Sequence, residues 1–170
     1  WGYNGYGQLG DGRYVGSPQA VESPSSVDSV TPVKVRQDPG VMAGKKIIKI
    51  FVAQHHSCAL SDDGKMYCWG LNSSAQLGQN NTVDSPVPVQ VAGALDGKFI
   101  TDIGGTNNLS CAIADGKIYC WGGNEGGMSG NGSSSGRTPT PKLVTTGSAS
   151  TSLPASYQAT KLSTSGSRAR

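Results

Sequence analysis

The chain has 170 residues, 25 of them glycine, with 15% charged residues and a net charge of +3. That length suffices for one domain with a sizeable core, and the Gly, Ser, Thr and Asn content suits an all-β protein with many tight turns. The mild charge, with no clustering of Lys and Arg with aromatics, argues against a nucleic-acid partner. No apolar run approaches the ~20 residues that cross a bilayer as a helix, so membrane insertion is not expected.

The chain opens on Trp1-Gly2-Tyr3-Asn4, followed by Gln8-Leu9-Gly10, so it starts inside a motif and is read as a fragment or processed product. A Ser-, Pro- and Val-rich stretch at 17–44 reads as a long inserted loop containing Thr31-Pro32-Val33. Ile47 to Ile50 predicts a strand. Ser57-Cys58-Ala59-Leu60 and Lys65-Met66-Tyr67-Cys68-Trp69 predict a hairpin. The cycle then restarts. Trp69-Gly70-Leu71-Asn72 leads to Gln76-Leu77-Gly78, then Ser85-Pro86-Val87-Pro88-Val89, then a strand from Ile100 to Ile103. A second hairpin joins Ser110-Cys111-Ala112-Ile113 to Lys117-Ile118-Tyr119-Cys120-Trp121. A third opening runs from Trp121-Gly122-Gly123-Asn124 to Met128-Ser129-Gly130. It leads to Thr138-Pro139-Thr140-Pro141, a Ser/Thr-rich loop at 145–156 and a weaker strand around Leu162. Self-similarity of this kind is a statement about architecture, and residues that recur in it serve the repeated framework first.

Register can be counted from the turns. Asp115-Gly116 reads as a two-residue type I′ turn, which pairs Ala114 with Lys117, Ile113 with Ile118, Ala112 with Tyr119 and Cys111 with Cys120. Asp62-Asp63-Gly64 is one residue longer, with Gly at the left-handed position, and it pairs Cys58 with Cys68. Two disulfides are therefore expected within hairpins, Cys58–Cys68 and Cys111–Cys120, against the alternative of four reduced, buried cysteines. A zinc site is not expected, because the spacing is not CxxC. The bonds would imply an oxidising place of work, secreted or on a cell surface. Trp69 and Trp121 alternate with Cys68 and Cys120, so they should face the other side of their sheets. Leu9 and Leu77 are expected to plug the gaps between sheets.

These motifs, in this order over residues 1–144, resemble the regulator-of-chromosome-condensation repeat. One departure is Ala53 and Thr106, where the family usually has Gly. The resemblance implies a β-propeller of four-stranded antiparallel blades, here an incomplete ring of about two full blades and two part-blades. It implies protein binding as the common role. The paired cysteines before Trp-Gly look like secreted, bacterial-type members, not the nuclear founding member.

No catalytic constellation, metal ligand set or cofactor motif stands out, and no enzyme activity is expected. His55-His56 lacks a recurring carboxylate or nucleophile and reads as framework or surface. The Asp-Gly turns suffice as hairpin chemistry, and no ladder of calcium ligands follows. Tyr3, Tyr6 and Tyr14 form a candidate contact surface for a partner protein, or else pack internally. Asn72, Asn80, Asn108 and Asn131 each open a glycosylation sequon. The leading expectation is an extracellular protein-binding module. The alternatives are a structural subunit self-assembling through open blade edges, and a guanine nucleotide exchange factor-like regulator.

Overall fold

The computed structural model describes residues 1–15, 27–37, 40–134, 136–145 and 158–163. The 17–44 insertion is thus described only in part, and the 145–156 loop lies almost wholly outside the described residues. Two four-stranded antiparallel sheets dominate. The first comprises β1 (Ile47–Val52), β2 (His56–Ser61), β3 (Met66–Gly70) and β4 (Ser85–Gln90), hydrogen-bonded in sequence order. The second repeats this with β5 (Ile100–Gly105), β6 (Leu109–Ala114), β7 (Lys117–Gly123) and β8 (Arg137–Leu143). Among the described residues the only helical piece is a 3-10 turn at Glu125–Gly127. These are two propeller blades. Residues 1–15 with 27–37 pack beside the first sheet, and 158–163 lie against the second.

The hairpin register is as counted. Cys111 faces Cys120, Ala112 faces Tyr119, Ile113 faces Ile118 and Ala114 faces Lys117. Cys58 faces Cys68. Both pairs are disulfide-bonded, with Cα atoms 4.1 Å apart, and no described cysteine is free. Asp115 and Gly116 both have positive φ, as a type I′ turn requires, and Gly64 takes the left-handed position of the longer loop. Ala53 and Thr106 sit in the turns before β2 and β6 with their backbone amides satisfied. Each amide donates to the first residue of the next strand (Ala53 to His56 at 2.9 Å, Thr106 to Leu109 at 2.8 Å).

The period-2 alternation of side chains gives each sheet two unlike faces. In the first blade Cys58, Leu60, Met66 and Cys68 join the main core, whereas Ala59, Tyr67 and Trp69 lie in a separate cluster with Met42. The main core also holds Ala112, Ala114, Tyr119 and Trp121 of the second blade, with Leu77 fully buried among them. The disulfide face of one blade therefore packs on the tryptophan face of the next, and Leu77 fills the gap as expected. Leu9 is only half-buried. Burial on both faces explains why every residue of β2 and of β6 is buried.

The first two Trp-Gly loops each staple one blade to the next. The indole N–H of Trp121 donates to the Gln76 carbonyl at 3.0 Å, and the Ser110 hydroxyl donates to the same carbonyl at 2.8 Å. The preceding repeat matches it: Trp69 and Ser57 donate to the Gln8 carbonyl at 3.0 and 2.9 Å. Asn72 shapes the stapling loop. Its Oδ1 accepts the Leu77 amide at 2.9 Å, while its Nδ2 donates to the carbonyls of Asn81 and Val83, both at 3.1 Å. Asn4 and Asn124 do the same for Leu9 and Ser129.

His56 is the second tie between blades. Its Nε2 lies 3.0 Å from Ser110 Oγ. The single Ser110 proton goes to the Gln76 carbonyl, so the imidazole Nε2–H is left to donate. Phe51 meets the ring edge-on at 5.6 Å. Burial, aided by the charge of His55 and opposed by the Asn107 backbone, lowers the His56 pKa to about 4.

Two predictions follow from this frame. Gly78 has φ 71°, and a Cβ there would sit 2.7 Å from Trp121 Nε1. Gly78→Ala should therefore lower stability by ~2 kcal/mol, read as a shift of the urea midpoint. For His56, the unfolded chain takes up a proton near the ordinary value of 6.5, while the folded chain resists until about 4. Stability should be whole above pH 6.5 and fall as the pH drops towards 4, by on the order of 3 kcal/mol from this group. In His56→Leu, which installs the residue found at the equivalent Leu109, that loss across pH 6.5–4 should disappear.

Candidate functional site

Strand order decides which loops meet. The β1–β2 turn and the β3–β4 loop of a blade emerge at one end of the sheet. The β2–β3 hairpin and the connection to the next blade emerge at the other. At the hairpin end, two ion pairs repeat: Lys45 with Asp63 and Lys98 with Asp115, each at 2.5 Å. Hydrogen bonding to Asp63 raises the Lys45 pKa, and the bond from Lys45 lowers that of Asp63. These exposed pairs fix turns and are worth little on their own.

The aromatic side chains gather at the opposite end. Tyr6 lies edge-on to His55 with ring centres 5.0 Å apart. Tyr3 lies edge-on to Tyr6 at 6.2 Å and to His55 at 6.4 Å. The tyrosines come from the first Trp-Gly loop and His55 from the β1–β2 turn of the first described blade. Local chemistry sets the loop: the Tyr6 amide donates to Gln8 Oε1 at 3.0 Å, and Asn4 Oδ1 accepts the Leu9 amide. The Tyr3 ring occupies the space a Cβ on Gly5 would take, so the glycine leaves room for the ring in this position. Tyr3 is 52% exposed, and Tyr6 and His55 are half-buried.

The structure thus unites two of the three tyrosines singled out in the sequence. Tyr14 is half-buried and makes no ring contact among the described residues. His55, which reads from the sequence as framework or surface, is the residue that the sequence does not link to the tyrosines. Its neighbour His56 belongs to the interior, and alternation along the chain puts the two on different tasks. Nothing local in the sequence marks His55 as a partner of Tyr6, since the contact joins two different repeats.

Beside the cluster lies a groove of about 600 Å³, lined by Trp1, Leu9, Val35, Ile50, Val52 and Trp69 among others. Ile50 is 66% exposed, whereas its repeat equivalent Ile103 is fully buried under the first blade. On the inner strands Lys49 of β1 pairs with Asp102 of β5, which also accepts the Leu162 amide at 2.6 Å. Burial pushes the Asp102 carboxyl up, but the Lys49 and Leu162 bonds outweigh it and hold the group below its ordinary value. Among the described residues no group of three or more His, Cys, Asp or Glu could hold a metal ion. No helix among them is long and apolar enough to cross a membrane.

Comparison with known proteins accords with this architecture. The model of the regulator of chromosome condensation (RCC1) repeat matches residues 1–60 and 63–113, and a second model of the same repeat matches 47–76. The human E3 ubiquitin-protein ligase HERC2 is 30% identical over 147 residues, 85% of this chain and 3% of HERC2. The ultraviolet-B receptor UVR8 of Arabidopsis thaliana is 28% identical over 148 residues, 86% of this chain and 30% of the receptor. Among solved structures, Prp20p of Saccharomyces cerevisiae, described with its binding to Gsp1p and histones, superposes with a TM-score of 0.68. The identity is 22%, over 86% of this chain and 33% of Prp20p. The same yeast protein bound to Kap60 gives a TM-score of 0.64 at 23% identity, over 86% of this chain and 32% of that one. The chain spans a third or less of the length of each of these relatives. The chain belongs to the RCC1 repeat family.

Proposed function

We propose that the chain is a non-enzymatic, extracellular protein-binding module whose contact surface is built on Tyr3, Tyr6 and His55. The observation that carries this reading is the aromatic cluster. Three amphipathic rings from two loops are held edge-on at one end of a rigid sheet, with Gly5 making room for the most exposed of them. Aromatic side chains fixed in this way contribute large contact area at low entropic cost, and Tyr is enriched where binding energy concentrates. The kind of partner accords with relatives that bind proteins, such as Prp20p with Gsp1p and histones. The extracellular setting rests on the two disulfides, which persist in oxidising compartments.

A second reading is favoured by the groove. Trp1 is 74% exposed, and Ile48, Ile50 and Val52 are exposed along β1, an edge strand. The equivalent face of the second sheet is covered by the first blade, so this uncovered apolar face would support assembly by taking a like sheet from another copy. An exchange-factor role, which needs an intracellular setting, has no such observation behind it. It predicts accelerated nucleotide release from a small GTPase, whereas the binding-module reading predicts none.

The reading is tested by affinity capture from the secreted protein fraction, followed by titration of whichever protein is retained. Tyr3→Ala and Tyr6→Ala together should leave the far-ultraviolet spectrum and urea midpoint nearly unchanged and weaken binding at least ~10-fold. Unaltered affinity would remove this surface from consideration. Thiol trapping of the protein from its own source should find Cys58, Cys68, Cys111 and Cys120 blocked; free thiols there would defeat the extracellular setting. Light scattering across a concentration series should show a single species, and growth in mass with concentration would shift the balance to assembly.

A further inference from the structure

Four sequons are present, and the fold treats their asparagines very differently. Asn72 is fully buried, and its Nδ2 is committed to the Asn81 and Val83 carbonyls. A glycan there is incompatible with the loop that staples the blades. Asn131 is half-buried, with Nδ2 donating to Thr138 Oγ1 and Oδ1 accepting the Ser133 amide, both at 2.9 Å. Asn108 is half-buried, and its carbonyl accepts the Gly123 amide at 2.7 Å. Its side chain, like that of Asn80, makes no hydrogen bond among the described residues, but Asn108 is less exposed and its sequon serine, Ser110, is fully buried.

Asn80 differs from the other three in exposure. It is exposed, as is Thr82, which supplies the sequon hydroxyl. Its side chain makes no hydrogen bond among the described residues. Its backbone has φ 57° and donates to the Pro139 carbonyl at 3.1 Å. The same position in the other two copies of the loop is glycine: Gly12, φ 91°, and Gly132, φ 83°. The Gly12 amide donates to Pro86 at 3.0 Å just as Asn80 donates to Pro139. The turn thus asks for a left-handed residue and for nothing from a side chain. In this copy alone, it carries an amide pointing into solvent two residues before a threonine.

We infer that Asn80 is an N-glycan attachment site, the one sequon of the four whose asparagine the folded blade leaves exposed. The inference rests on the extracellular reading above. The donor is an oligosaccharide linked through its anomeric carbon to a lipid diphosphate. Asn80 Nδ2 forms a bond to that carbon, the bond from the carbon to the diphosphate oxygen breaks, and the amide nitrogen loses one proton. The products are the glycosylated amide and the free lipid diphosphate. No electrons change hands. The site sits on the β3–β4 loop beside the outer strand β8, so a glycan would extend outward from the rim of the blades.

The test is to export the whole chain through the secretory pathway of a glycosylating host and measure intact mass before and after enzymatic removal of N-glycans. A peptide map then locates the attachment. The expected result is one glycan, at Asn80, absent from both Asn80→Gly and Thr82→Ala. Asn80→Gly keeps the turn residue of the sister repeats, so its folding should match the parent, checked by blocked thiols and an unchanged urea midpoint. A folded, disulfide-bonded protein without a glycan at Asn80, or with one at Asn108, Asn131 or Asn72 instead, would overturn the inference. Failure of the extracellular reading is recorded separately by thiol state in the protein's own source, so the two failures cannot be confused.

Discussion

In two of the three repeats, one backbone carbonyl ties one blade to the next by two hydrogen bonds. The Gln76 carbonyl projects from a loop of the first blade and accepts two donors from the second, the Trp121 indole and the Ser110 hydroxyl. Gln8 does the same one repeat earlier. The sheets pack by apolar contact, which is strong but has little directionality. The two hydrogen bonds are directional and buried, so a lost partner costs more than the bond itself contributes. They set the angle and register at which one blade meets the next.

Most of the recurring residues exist to place that carbonyl. The asparagine of each Trp-Gly-x-Asn stretch ties the ends of the loop together through its own amide and carbonyl groups. The glycine after the glutamine and leucine removes a Cβ that would collide with the neighbouring indole. The third copy shows how far the pattern can drift. Met128 and Ser129 stand where Gln76 and Leu77 do, and Ser129 is fully buried with its hydroxyl 2.7 Å from Asn124 Oδ1. The loop closes by the same asparagine chemistry while the apolar plug becomes polar.

A repeated framework also frees certain positions. His55 and His56 are adjacent, yet one supports the blade junction and the other joins a surface aromatic cluster. Asn80 stands where two sister loops carry glycine, so its side chain is available for chemistry the fold does not need.

Much of this was legible in the residues themselves. The hairpin turns are local, so Asp115-Gly116 and Asp62-Asp63-Gly64 determine the pairing of Cys111 with Cys120 and of Cys58 with Cys68 by counting alone. Alternation along β3 and β7 likewise puts tryptophan and cysteine on opposite faces. What only the tertiary structure decided are contacts between repeats. The Gln76–Trp121 bond spans two blades. The Lys49–Asp102 pair joins two inner strands. The Tyr6–His55 contact joins a loop of one repeat to a turn of the next. Periodicity says which residues share a face of their own sheet. It is silent on which side chains of two sheets meet, because that depends on the twist and separation of the sheets once packed, and no single stretch of chain encodes either.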